Sequence, residues 1–138
     1  MIREFRGEFR WLSNFAPCSI VLDGMKYPSV EHAFMSAKSA DPAWKRFCAV
    51  TSSAALVKKE SRRVQLVPGW DWLKLDVMER CLKQKFAQDP YRSLLKQTGS
   101  RQLQEGNRWN DRFWGVDLRT GAGENRLGKM IMKIRDRL

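Results

Sequence analysis

A chain of 138 residues, 43% hydrophobic and 11% aromatic, is the size of one domain and rich enough in apolar side chains to bury a core. Its 26 Lys and Arg against 15 Asp and Glu leave a net charge of +11, which fits either polyanionic partners (phosphates, nucleotides, nucleic acid) or a solvated basic surface. No apolar run approaches a membrane span, and no signal-like segment follows Met1. Three widely spaced cysteines (Cys18, Cys48, Cys81) match neither a disulfide framework nor a metal-ligand cluster, and the single histidine, His32, argues against zinc. The expectation is a cytoplasmic domain with free thiols, Cys48 and Cys81 in its core, and no resident metal or cofactor.

Taken in chain order, residues 4–27 read as short β-like pieces. Phe5 and Phe9 flank Gly7, and Ile20-Val21-Leu22 meets Met25-Lys26-Tyr27 across Asp23-Gly24, a strong hairpin signal. Ser29 then caps a helix whose apolar stripe is Val30, Ala33, Phe34 and Ala37, ending near Ser39. Asp41-Pro42 opens a second helix as cap and first-turn proline, with Trp44, Phe47 and Cys48 or Val50 on its buried side. A third, short and rich in Ala and Lys, runs from Ser52-Ser53 to about Glu60, and Pro68-Gly69 breaks the chain. Asp71 to about Gln88 is the longest helix, and another follows Asp89-Pro90 and stops at Thr98-Gly99. Residues 100–124 are irregular, and Asn125 caps a last helix carrying Leu127, Met130, Ile131 and Ile134. The fold class expected is mainly α (α+β with a small N-terminal β element) in a single domain spanning 1–138.

Few side chains offer chemistry. Glu31 falls in the first turn of a helix, where the dipole and free amides stabilise a carboxylate. On position alone, a Glu that merely satisfies the dipole is the commoner case. Lys38, two turns further on the same face, could reach a phosphate or pair with a carboxylate, against the commoner solvated lysine. His32 points elsewhere and reads as a hydrogen-bonded structural histidine. Of six tryptophans, Trp70 and Trp72 lie around a helix start and Trp109 and Trp114 in the irregular stretch, where they can stack on a heterocycle. Core packing accounts for each of these equally well, and Trp11 and Trp44 read as packing residues. Asp111 sits in a polar, Gly-rich region where a binding residue and a turn-forming Asp are both plausible. Gly121-Ala122-Gly123-Glu124-Asn125 resembles a loose phosphate cradle, with Arg119, Arg126, Lys129 and Lys133 around it. With no nucleophile set and no metal motif, carboxylates, aromatic walls and basic residues remain. That combination fits hydrolysis of a glycosidic bond through an oxocarbenium-like transition state.

Four blocks of sequence carry a family resemblance. They are Leu12-Ser13-Asn14-Phe15-x-Pro17; Tyr27-Pro28-Ser29-Val30-Glu31-His32-Ala33-Phe34 with Lys38 beyond; Asp111-x-Phe113-Trp114-Gly115; and Gly123-x-Asn125-Arg126-Leu127-Gly128-Lys129-Met130. In this order, over nearly the whole chain, they resemble the NADAR superfamily, the YbiA-like N-glycosidase family. The resemblance implies a compact YbiA-like helical fold and a metal-independent N-glycosidase. Family substrates are phosphorylated ribosylamino-pyrimidine intermediates of riboflavin synthesis, or ADP-ribose on guanine in DNA. It puts Glu31 in the catalytic position with Asp111 as a second polar group. It makes Trp70 and Trp114 ring-stacking walls and adds Asn14, Phe15, Lys38 and Asn125 to the substrate pocket. The charge of +11 leans the expectation towards ADP-ribosylated nucleic acid as partner. The rivals are a non-catalytic module that binds ADP-ribose or nucleic acid, and a basic DNA-coating protein.

Overall fold

The computed structural model describes all residues from Met1 to Leu138. The chain forms two compact units, one inserted in the other: Asn14–Lys85, and Met1–Ser13 together with Phe86–Leu138.

The inserted unit opens with a hairpin of β1 (Pro17–Leu22) and β2 (Met25–Ser29), paired antiparallel with Leu22 opposite Met25 and Ile20 opposite Tyr27. Both turn residues have positive φ, 48° at Asp23 and 80° at Gly24, as a type I′ turn requires. Helices α1 (Val30–Ser36), α2 (Pro42–Val50), α3 (Ala54–Glu60) and α4 (Trp70–Lys85) follow. Ser29 caps α1, its Oγ accepting from the His32 amide at 3.1 Å, and Asp41 and Ser53 cap α2 and α3 in the same way. The expected stripe on α1 is an understatement, because every residue from Val30 to Ser36 is buried. The helix packs against β2, α2, α3 and α4. It ends at Ser36, earlier than its apolar spacing predicts, and α2 satisfies its last carbonyls. Trp44 Nε1 donates to the Met35 carbonyl at 2.9 Å and Lys45 Nζ to that of Ser36 at 3.2 Å. Cys48 and Cys81 are fully buried, as expected. The Gln84 side chain fastens the end of α4 to β1 by bonding both the amide and the carbonyl of Val21 at 2.8 Å.

In the other unit, residues 7–12 form a 3₁₀ turn, not the β-like piece that Phe5 and Phe9 imply. Gly7, at φ 59°, turns the chain out of an extended path. The extended pairing is made earlier, by Ile2 alongside Leu103. The unit also holds α5 (Tyr91–Gln97), two short parallel strands, β3 (Gly106–Asn107) and β4 (Val116–Asp117), and α6 (Arg126–Arg135). Those strands lie inside the stretch that reads as irregular, too short for any periodic signal. No helix is long and apolar enough to cross a membrane.

Candidate functional site

Asn14, Phe15, Glu31, Lys38 and Trp70 all belong to the inserted unit, and Asp111, Trp114 and Asn125 to the other.

Glu31 is 6% exposed, on a helix buried on every side. Glu31 is therefore not a solvated surface residue of the kind that most often sits in a first helical turn. A carboxylate removed from water costs free energy unless something polar or charged answers it. The Glu31 amide donates to the Asn14 carbonyl at 3.0 Å, tying the loop before β1 to the start of α1. The side chain of Asn14 reaches Met78 Sδ with its Nδ2 at 3.6 Å, while its Oδ1 is buried without a hydrogen-bond partner. Buried acceptors are rarely left in that state, and an orphaned amide oxygen suits a hydroxyl-bearing ligand.

Lys38 lies just beyond α1 and is not a solvated lysine: it is half-buried, and its Nζ donates to Ser61 Oγ at 3.4 Å. Burial pushes its ammonium below the usual lysine value. Glu31 opposes that shift, and the neighbouring charges of Lys58, Arg62 and Lys74 reinforce it. The two residues that the sequence set seven apart therefore act on one another. Lys58, Arg62 and Lys74 are basic neighbours that sequence reasoning missed, because a lysine facing a site and one facing solvent look alike in a helix rich in Ala and Lys.

Trp70 is 8% exposed and packs on Phe34 of α1 with ring centroids 5.2 Å apart, tilted by 50°. Trp72, two residues on, is 83% exposed. Phe15 is exposed, with Lys58 Nζ 5.8 Å from its ring centroid. Trp44 is buried as the packing residue expected of it. His32 is a structural anchor, as expected. Its Nδ1 accepts from Ser29 Oγ at 2.6 Å, its Nε2 donates to the Thr51 carbonyl at 2.8 Å, and burial holds its pKa below the usual histidine value. A cleft of about 680 Å³ beside α2, lined by Trp44, Phe47, Arg63 and Leu66 among others, includes none of the predicted residues.

In the other unit, Asp111 makes the turn that was the alternative to a binding role. Its Oδ1 accepts from the amides of Phe113 (3.1 Å) and Trp114 (3.0 Å), and its backbone is held at both ends by the Asn107 side chain. Oδ1 is thus committed to the backbone. Trp114 is half-buried and meets Phe113 edge-to-face at 4.8 Å.

Two expectations about the Gly-rich stretch are corrected. It is not a phosphate cradle: the amides of Glu124, Asn125, Arg126 and Leu127 donate to the carbonyls of Arg112, Gly115, Phe113 and Trp114 at 2.8–3.2 Å. Backbone donors spent in this way have nothing left for an anion. Arg119 lies 3.6 Å from the buried Asp117, and Arg126 pairs with Glu124 at 3.0 Å and stacks on Phe113. Nor does Asn125 cap α6. It is left-handed at φ 49°, and its side chain donates to the Leu103 carbonyl (2.9 Å) and accepts from the Glu105 amide (3.0 Å). Its amide is therefore occupied in joining two backbone segments.

The blocks that carry the resemblance thus meet in pairs, Asn14 with Glu31 and residues 112–115 with 124–127. A family model described as the NADAR domain matches residues 3–138. "N-glycosidase YbiA" of Escherichia coli is 35% identical over 91% of this chain and 79% of its own length, and "N-glycosidase Npun_R5314" of Nostoc punctiforme is 33% identical over 91% and 83%. "Riboflavin biosynthesis protein VVA0006" of Vibrio vulnificus is 34% identical over 93% of this chain, which spans only 35% of that longer protein. The NMR structure of E. coli YbiA matches 99% of this chain and 82% of its own, with a TM-score of 0.84 at 31% identity. This chain belongs to the NADAR family and has the YbiA fold.

Proposed function

We propose that this chain is an N-glycosidase that hydrolyses the bond between a phosphate-bearing ribose and a nitrogenous base, and that its preferred reaction removes ADP-ribose from guanine in nucleic acid. The observation that carries the reading is Glu31, a carboxylate 6% exposed on a fully buried helix, its amide tied to Asn14, whose side-chain oxygen is orphaned, and its charge acting on Lys38. A buried charge of this kind costs stability and persists where function uses it. The names of relatives that align along most of both chains support N-glycosidase chemistry.

In the proposed reaction the bond between the anomeric carbon and the base nitrogen breaks, the electron pair leaves with the base, and the base nitrogen takes up a proton from solvent, equal to the one the attacking water gives up. Glu31 stabilises the oxocarbenium charge that develops on the ribose and takes a proton from the water whose oxygen bonds to the anomeric carbon. The Asn14 Oδ1 accepts from a ribose hydroxyl. Trp70 is the ring-stacking surface of the inserted unit, with Phe15 and Lys38 as further binding candidates, and in the other unit Asp111 Oδ2 and Trp114 are candidates for hydrogen bonding and stacking. Water is the sole co-reactant, so the reaction calls on no cofactor.

The second reading takes a ribosylamino-pyrimidine phosphate as substrate, and the Vibrio vulnificus relative's name favours it. The net charge of +11 favours the nucleic-acid substrate, through phosphate contacts that salt weakens. Incubation with ADP-ribosylated DNA, a ribosylamino-pyrimidine phosphate and NAD, followed by product analysis, decides the substrate. Release of guanine-bearing DNA from the first alone supports the preferred reaction. Release of base from the second alone replaces it. Ligand-dependent tryptophan quenching with no product from any of them marks a binding module and overturns the enzyme.

A further inference from the structure

Lys38, Lys58, Arg62 and Lys74 come from four successive pieces of chain: the end of α1, the last turn of α3, the 3₁₀ turn Ser61–Arg63, and the second turn of α4. Helices α3 and α4 both pack on α1. Ser61 is the hub of the arrangement. Its hydroxyl receives Lys38 Nζ at 3.4 Å and donates to the Lys58 carbonyl at 2.6 Å, so one buried side chain ties the Lys38 ammonium to the Lys58 backbone. The backbone of Lys38 is fixed too, its carbonyl accepting from the Val67 amide at 2.8 Å. On the other side Lys58 Nζ lies over Phe15, and the adjoining Asn14 carbonyl holds the Glu31 amide. These contacts link Glu31, Asn14, Phe15, Lys58, Ser61 and Lys38 in sequence.

Cations gathered in this way repel one another, and half-burial of Lys38, Lys58 and Lys74 weakens the screening water would give. Glu31 is the carboxylate that acts on Lys38, against three cations. Lys74 also pairs with Asp71 at 3.5 Å, but that carboxylate is 91% exposed and its attraction is screened. A doubly charged anion would offset the repulsion, and lysine and arginine in concert are the usual means of holding phosphate.

We propose that Lys58 and Arg62, which lie outside every family motif, join Lys38 and Lys74 in a site that holds the phosphate on the 5′-oxygen of the substrate's ribose. The inference rests on the N-glycosidase reading for its ligand and on the Ser61 hub for its geometry. A 5′-phosphoryl group occurs in both a ribosyl phosphate and ADP-ribose. The site holds the end of the ribose remote from the scissile bond and sets the anomeric carbon against Glu31, so that phosphate binding contributes to orientation as well as affinity.

The test is calorimetric titration of the full chain with ribose, ribose 5-phosphate and ADP-ribose at two salt concentrations, for the wild type, Lys58→Gln, Arg62→Gln, the double variant and Lys58→Arg. The expected result is preference for both phosphorylated ligands over ribose. The double variant loses tenfold or more in affinity for them and most of the salt dependence, while ribose binding stays the same and Lys58→Arg keeps most of the wild-type affinity. Tightening of ADP-ribose alone, with ribose 5-phosphate bound no better than ribose, counts against a site for the 5′-phosphate. Three results overturn the proposal: equal binding of ribose and ribose 5-phosphate by the wild type, no binding of either phosphorylated ligand at millimolar concentration, or a double variant with wild-type thermal unfolding that binds both as tightly as the parent. Failure of the N-glycosidase reading looks different. Glu31→Gln would then turn over normally, while the phosphate affinities and their loss in the double variant stand.

Discussion

The backbone amide of Glu31 donates to the backbone carbonyl of Asn14 at 3.0 Å, so the first turn of α1 and the loop before β1 are fixed to each other independently of either side chain. Substitution at either position therefore changes chemistry without cutting the tie, and the two residues can be tested separately.

Glu31→Gln keeps the shape of the side chain and removes its charge. Turnover of an N-riboside substrate is expected to fall by about 10²–10⁴-fold, the usual range for loss of a proton-transferring group. Far-ultraviolet dichroism should be unchanged, and thermal stability should fall, because Lys38 loses the carboxylate that offsets its cationic neighbours. Wild-type turnover in this variant would make Glu31 structural.

Asn14→Leu exchanges a buried, partnerless oxygen for apolar atoms of similar volume. The weak contact to Met78 is lost, but so is the cost of the orphaned acceptor, so the midpoint of urea unfolding is expected to stay or rise. Substrate KM should rise about fivefold, one charge-free hydrogen bond being worth on the order of 1 kcal/mol. A large fall in stability with unchanged KM would assign Asn14 to the fold alone.

Asp111 separates by paired variants. Asp111→Asn keeps an oxygen for the Phe113 and Trp114 amides and removes the charge, whereas Asp111→Ala removes both. The Ala variant should lose roughly 1–2 kcal/mol of stability, as when a side-chain cap is deleted. The Asn variant should keep its stability and lose activity. If both keep full activity, Asp111 only makes the turn.

Gly123→Ala tests the clasp between residues 112–115 and 124–127. A Cβ at Gly123 would run into the Gly115 carbonyl and lie 2.8 Å from Val116 Cα, on a backbone at φ 151° that side chains disfavour. With backbone on the opposing side there is no flexible group to give way, and a loss of more than about 2 kcal/mol in urea unfolding is expected. Gly121→Ala, with open space around its Cβ position, should cost less despite its positive φ.

Stability should depend on pH through Lys85. This lysine is fully buried at the end of α4, and burial pushes its pKa from 10.5 down to about 7, with Cys18 opposing the shift. Between about 7 and 10.5 the unfolded chain holds a proton that the folded chain has released, so stability rises with pH at no more than about 1.4 kcal/mol per unit. The thiols of Cys48 and Cys81 work the other way. Burial raises both from 9.0 to about 12, so their contribution is present below 9 and is lost as pH climbs past it. Urea unfolding of the wild type should strengthen from pH 7 to 9, and Lys85→Met should flatten that rise. An equal slope in the two proteins would rule out Lys85 as its source.

The local part of this fold was legible in the sequence because its causes are local. Asp23-Gly24 set the hairpin through two positive φ angles, Ser29 and Asp41 capped helices with their own side chains, and Cys48 and Cys81 fell on apolar faces. The motif around Glu31 pointed to its chemistry, but only packing decided that the helix bearing it is buried on all sides. Trp70 and Trp72 share a helical turn and differ tenfold in exposure because one of them faces Phe34 of α1. The Gly-rich stretch before α6 offers amides that suit a phosphate, yet tertiary pairing gives them to the carbonyls of 112–115. Lys38 instead meets Ser61 from the next segment of chain and feels the charges of Lys58, Arg62 and Lys74. Such groupings depend on contacts between segments far apart in the chain, and no periodicity or spacing encodes them.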